Sequence, residues 1–181
     1  MAIIPGIYAS SISGHLQTGN FFLISQLTPS AVSTVTFSSI PSTYKHLMVR
    51  FNLICSAATI AKLQLNGDTG ANYVAHFLEG NGSAVGAGGW NSGAGNASIY
   101  LTNNGTVSTV YPYVGIIDIF DYANTSKNKT VKTIDGVNQN TSAGNIGISS
   151  GVWLSTTAIN SLTLLLNSGT FTGTISLYAS N

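Results

Sequence analysis

The chain has 181 residues, enough for one domain with a hydrophobic core, yet only 6% of them are charged and the net charge is +1. That balance leaves no electrostatic basis for binding nucleic acid or an anionic membrane. Its single cysteine, Cys55, excludes an intrachain disulfide and a cysteine-based zinc cluster, and its neighbours Leu53 and Ile54 predict a buried thiol. Ser, Thr and Asn supply 60 of the 181 residues. A neutral surface rich in hydroxyls and amides avoids the cost of desolvating ions, so it suits packing against copies of itself or against a scaffold.

Residues 1–30 are apolar but aperiodic, and Pro5, Gly6, Gly14 and Gly19 break them too often for a helix. Ile3, Ile4, Ile7, Tyr8 and Ile12 form an uncharged set that must be covered. Two readings stand side by side: an extended arm that anchors on a partner, or a first strand folded onto its own domain. The division expected is an N-terminal arm over residues 1–30 and a β-sandwich over 31–181. No Lys or Arg precedes Ile3, and Pro5-Gly6 interrupts the apolar run, so no secretory signal is expected. No stretch approaches the roughly 20 apolar residues of a membrane span. The chain is expected to be soluble and made without export.

Strand signals follow at short intervals. Residues 32–37 alternate loosely and Pro41 closes them. In residues 46–54, Leu47, Val49, Phe51 and Leu53 share one face and His46, Met48, Arg50 and Asn52 the other, the period of a half-buried strand. Residues 60–65 repeat the pattern before the turn Asn66-Gly67-Asp68, and residues 72–79 resume it. Residues 80–96 hold seven glycines and read as a long loop with Trp90 at its middle. Short strands are then expected over 97–101 and 107–110.

Residues 114–132 read as an apolar strand, a polar turn and a basic returning strand. Six of the 11 charged residues fall between Asp118 and Asp135, so this hairpin is expected to be structural, with Asp121 pairing Lys127 or Lys129 across the turn and Asp118 meeting a backbone or hydroxyl donor. Its first strand is apolar on both faces, with Ile116, Asp118, Phe120 and Tyr122 on one side, and is expected to be covered on both, the second cover being a neighbouring subunit. Residues 146–154, then a closing hairpin of 161–166 and 171–178, complete the chain. No window has a helical period. The expectation is an all-β antiparallel sandwich, jelly-roll-like, with two four-stranded sheets.

Chemistry is hard to find. Asp118 and Asp121, three apart on a strand, point to opposite faces and cannot act together as acid and base. Ser42-Thr-Tyr-Lys45 matches S-x-x-K without the partner motifs that give it meaning. His15, His46 and His76 lack metal-ligand spacing, and the glycine-rich segment lacks the Lys-Ser/Thr of a phosphate loop. No catalytic residue, metal site or cofactor is expected. Trp90, Tyr100, Tyr111 and Tyr113 lie beside the longest loops, where aromatic faces stack on sugar rings or fill subunit contacts.

Several phrases carry a resemblance: Ile4-Pro-Gly-Ile-Tyr-Ala-Ser10, Phe37-Ser-Ser-Ile-Pro-Ser-Thr-Tyr-Lys-His-Leu47, Leu65-Asn-Gly-Asp-Thr-Gly-Ala-Asn-Tyr73, Ile116-Ile-Asp-Ile-Phe-Asp-Tyr-Ala-Asn-Thr-Ser-Lys127 and Ser150-Gly-Val-Trp-Leu-Ser155. Together they resemble small virion structural proteins of tailed bacteriophages, including cyanophages. The resemblance implies a non-enzymatic β-sandwich displayed on the particle and assembled in the host cytoplasm. Its partners would be copies of itself, expected as a homotrimer, and other capsid or tail proteins. Two roles follow: a capsid decoration (cement) protein, or a tail-fibre or receptor-binding module that recognises a host glycan. The absence of an internal repeat favours the first, and the aromatic-bearing glycine segment the second.

Overall fold

Alternation becomes architecture first in the strand at residues 46–55. In the computed structural model, which describes residues 21–90, 96–101, 109–140 and 144–181, β3 (His46–Cys55) buries Leu47, Val49, Phe51, Leu53 and Cys55 and turns Arg50 and Asn52 outward. Eleven further strands surround it: β1 (Phe22–Leu27), β2 (Thr34–Phe37), β4 (Ala61–Leu65), β5 (Tyr73–Gly80), β6 (Val85–Trp90), β7 (Ile99–Tyr100), β8 (Tyr113–Phe120), β9 (Lys129–Asn138), β10 (Gly144–Trp153), β11 (Leu162–Leu166) and β12 (Phe171–Ser180). The described residues contain no helix.

The strands form two antiparallel sheets, and the fold is an all-β sandwich. One sheet has eight strands in the order β1-β12-β3-β8-β9-β10-β5-β6, the other four in the order β2-β11-β4-β7. If β1, β12 and the hairpin β8–β9 are set aside, the remaining strands order as β3-β10-β5-β6 against β2-β11-β4-β7, the four-against-four jelly-roll arrangement. The expected equal division is therefore corrected to eight and four. The reason is twofold: the charge-bearing hairpin inserts between β3 and β10, and β12 and β1 extend the same sheet beyond β3.

The core lies between the sheets. Leu63, Leu65, Leu162 and Leu164 of the smaller sheet meet Val49, Phe51, Leu53, Ile117, Ile119 and Leu177 of the larger. Burying an aliphatic side chain fully contributes about 1.5–3 kcal/mol relative to exposure, so this layer is the main source of stability. Cys55 is within it, as expected, and burial pushes its thiol up to about 11.

Several expectations are corrected here. Residues 85–90 are not loop but β6, paired with β5. The ring of Phe77 lies over Gly88, where a Cβ would come within 2.7 Å of it, and the Glu79 side chain lies over Gly86. Glycine is needed there to admit the neighbouring side chains, not to bend the chain. Residues 161–178 are not a closing hairpin: β11 pairs with β2 and β4, whereas β12 pairs with β3 and β1. Gly169, at φ +79°, turns the chain from one sheet to the other. Residues 22–27, counted with the arm, form β1 along β12. The remaining arm residues Ile3, Ile4, Ile7, Tyr8 and Ile12 lie outside the described residues, as do residues 107–108 of an expected strand. Residues 109–110 are bends, and the strand expected over 97–101 is limited to Ile99–Tyr100.

Candidate functional site

The hairpin β8–β9 forms over the residues expected for it, and its charged side chains are used in different ways. Asp121 follows β8 in a left-handed conformation, φ +49°, and its carboxylate accepts from Lys127, the one ion pair among the described residues. That hydrogen bond holds Asp121 below the usual carboxylate range. Lys129 does not share in it. Its ammonium is buried and donates to the carbonyls of Asn124 (2.5 Å), Lys127 (2.9 Å) and Thr156 (3.0 Å), so all three of its protons have acceptors. Burial, then the nearby Lys127, lowers its pKa. Asp118 faces outward, opposite Lys132 in the ladder. Tyr122 does not share the outer face with it. The turn carries Tyr122 into the core, where its hydroxyl donates to the Pro41 carbonyl.

The outer face of the large sheet carries two apolar rows. Ile116 stands opposite Ile134, Ile134 opposite Ile148, and Ile148 opposite Leu78. The next row places Val114 and Ile146 on either side of Gly136, and Ile146 and Val85 on either side of Gly80. Most of these side chains are exposed, Ile146 at 61% and Val85 at 78%. Strands lie about 4.8 Å apart, so an apolar row across four of them spans about 14 Å. Among the described residues nothing covers this side of β8, and contiguous apolar faces of this kind mark interaction surfaces. An open depression of about 1060 Å³ adjoins it, lined by Arg50, Asn81, Val114, Ile146 and Asn138 among others.

On the core side of the same strands lies a polar group that the spacing search missed. Asp135, Gly147 and Glu79 follow one another across β9, β10 and β5, with Asn145 two residues before Gly147 on the same face. Asp135 is 4% exposed, and neither carboxylate oxygen has a hydrogen-bond partner of ordinary geometry. Burial raises its pKa to about 7, against the pull of the Tyr113 and Thr133 hydroxyls beside it, and the charge of Glu79 raises it further. Neither hydroxyl has another hydrogen-bond partner. The signal was present in the sequence: Lys129, Val131, Thr133, Asp135 and Val137 share one face by period two, which places Asp135 on the buried side.

Tyr113, Tyr100 and Tyr111 sit in different surroundings. Tyr113 is 1% exposed and packs on Phe51, with ring centroids 5.0 Å apart, so it belongs to the core. Tyr100 is half-buried beneath the Lys62 ammonium, 4.8 Å from the ring centre, and Tyr111 packs at the core margin. Trp90 ends β6.

No known protein family matches the chain, and comparison with curated proteins and with solved structures finds no relative for it.

Proposed function

We propose that this chain is a non-enzymatic phage virion structural protein, a capsid decoration protein that forms a homotrimer and packs on other virion proteins. The observation that supports this reading is the outer apolar face of the eight-stranded sheet, Ile116, Ile134, Ile148 and Leu78, on a chain with very little charge. Covering such a face removes apolar area from water at about 25 cal/mol per Å² without stranding ions. Assembly by this face should respond little to salt. In sedimentation at micromolar concentration the wild-type chain should be trimeric, and Ile134→Asp should yield a folded monomer that no longer binds particles lacking the protein. A monomeric wild type, or an Ile134→Asp chain that still trimerises and decorates, would overturn the proposal.

A second reading, a tail-fibre or receptor-binding module for a host glycan, draws on the depression, where the Asn81 and Asn138 amides border apolar ground. It requires host-cell adhesion that is lost when Asn81 and Asn138 are replaced by Ala and retained in Ile148→Asp, whose side chain is on the apolar face outside the depression.

A further inference from the structure

We infer that Asp135 and Asn145, with Glu79 beside them, form a binding site for a hard divalent cation of the calcium type. Its basis is a set of buried oxygens without a hydrogen-bond partner of ordinary geometry. Both oxygens of Asp135 and the amide oxygen of Asn145 are buried without a partner, on side chains 4% and 8% exposed. Both lie near one point: a Cβ placed on Gly147 would lie 3.7 Å from Asp135 Oδ1 and 3.9 Å from Asn145 Oδ1, and it would meet nothing nearer. Gly147 thus leaves open the space between Asp135 and Glu79, its ladder partners on either side.

Asn145 also reaches the second acid, its Nδ2 lying 3.5 Å from Glu79 Oε2. Leaving a buried carboxylate uncompensated is costly, whereas a cation satisfies several oxygens at once. Among the described residues no three His, Cys, Asp or Glu side chains come together, which removes the donor set of a zinc site. Calcium needs only oxygens, takes amide carbonyls as readily as carboxylates, and fills its remaining positions with water. Asp135 and Asn145 are both among the residues that line the open depression of about 1060 Å³.

The test uses the full chain stripped with a chelator. Millimolar calcium at pH 7.5 should raise the unfolding temperature by roughly 5 °C, as binding at about 100-fold over Kd does for a domain of this size. Terbium should bind once per chain and luminesce on excitation of the protein's aromatic residues, with calcium competing. Asp135→Asn and, separately, Asn145→Leu should abolish both effects while remaining folded, and Ile134→Asp should keep them. No thermal shift and no terbium binding in the wild type would overturn the inference and leave a proton as the occupant of Asp135. Terbium luminescence and calcium stabilisation that persist in both variants would equally overturn it, because the cation would then sit elsewhere.

Discussion

Strand β9 has a buried charged residue near each end, and the two are treated in opposite ways. Lys129 at its start has every proton matched to a carbonyl, from the turn before it and from residue 156. Asp135, six residues on and equally hidden, has neither oxygen matched. A satisfied buried ion closes a structure: it fastens the hairpin turn to the segment after β10. An unsatisfied one holds coordinating capacity that the chain itself does not use. Burial alone is therefore not the mark of a site; unused donors or acceptors are.

Four substitutions sharpen or break that contrast. The largest effect is expected at Lys129. Lys129→Met strands three carbonyls and should cost about 3–5 kcal/mol in denaturant unfolding. A loss under 1 kcal/mol would mean that water replaces the ammonium and that the end is not closed.

At the other end, Asp135→Asn should stabilise the cation-free protein at neutral pH. The folded pKa of about 7 lies above the unfolded value of about 3.9. Folding therefore retains a proton, and the stability it contributes is full below about pH 4 and is lost as pH rises through about 7, by about 2–4 kcal/mol. In chelator, the wild-type unfolding midpoint should fall over that window while the midpoint of Asp135→Asn stays level. Parallel profiles would show that Asp135 ionises freely.

Asp68 is a middle case, an acid that is half-exposed but fully used. It accepts from Trp153 Nε1 (2.6 Å), Asn72 Nδ2 (2.9 Å) and Gly70 N (2.8 Å), and the Trp153 bond above all lowers its pKa. Its contribution is present above about pH 4 and is lost as pH falls through the depressed value, the reverse of Asp135. Asp68→Ala orphans the indole N–H and should cost about 1–2 kcal/mol at pH 7, read by urea titration. The smallest effect belongs to Asp121, whose pair with Lys127 is exposed. Asp121→Ala should scarcely move the midpoint, and a large shift would place the hairpin's stability in that ion pair after all.

The inward faces of β3 and β4 were legible because apolar and polar residues alternate there, and that pattern has one physical solution. The hairpin was legible because Asn124 to Asn128 is a dense run of turn-forming residues between two strands. Strand β6 was hidden because V-G-A-G-G-W has no alternation; its pairing comes from Phe77 and Glu79 covering its glycines, a fact of tertiary structure. The partner strands of β11 and β12 were hidden too, since Asn167-Ser-Gly169 suits a hairpin as well as a crossing between sheets. At the cation site, the side of the sheet was readable for Asp135 from period two. Its approach to Asn145 was not, because that depends on the register between β9 and β10.

The placement of β11 and β12 bears on how the chain folds. Strand β11 lies inside the smaller sheet between β2 and β4, and β12 lies inside the larger between β1 and β3. Neither sheet can close until residues 162–180 have been synthesised and have travelled back to partners more than a hundred positions earlier. Loop-closure entropy is then spent before most native contacts form, so folding should be slow and largely post-translational. In the interval β1, β2, β3 and β4 present unpaired edges in a crowded cell. A chain with so few charges has little repulsion to keep such intermediates apart, and its yield should depend on synthesis rate and temperature more than on the stability of the finished fold.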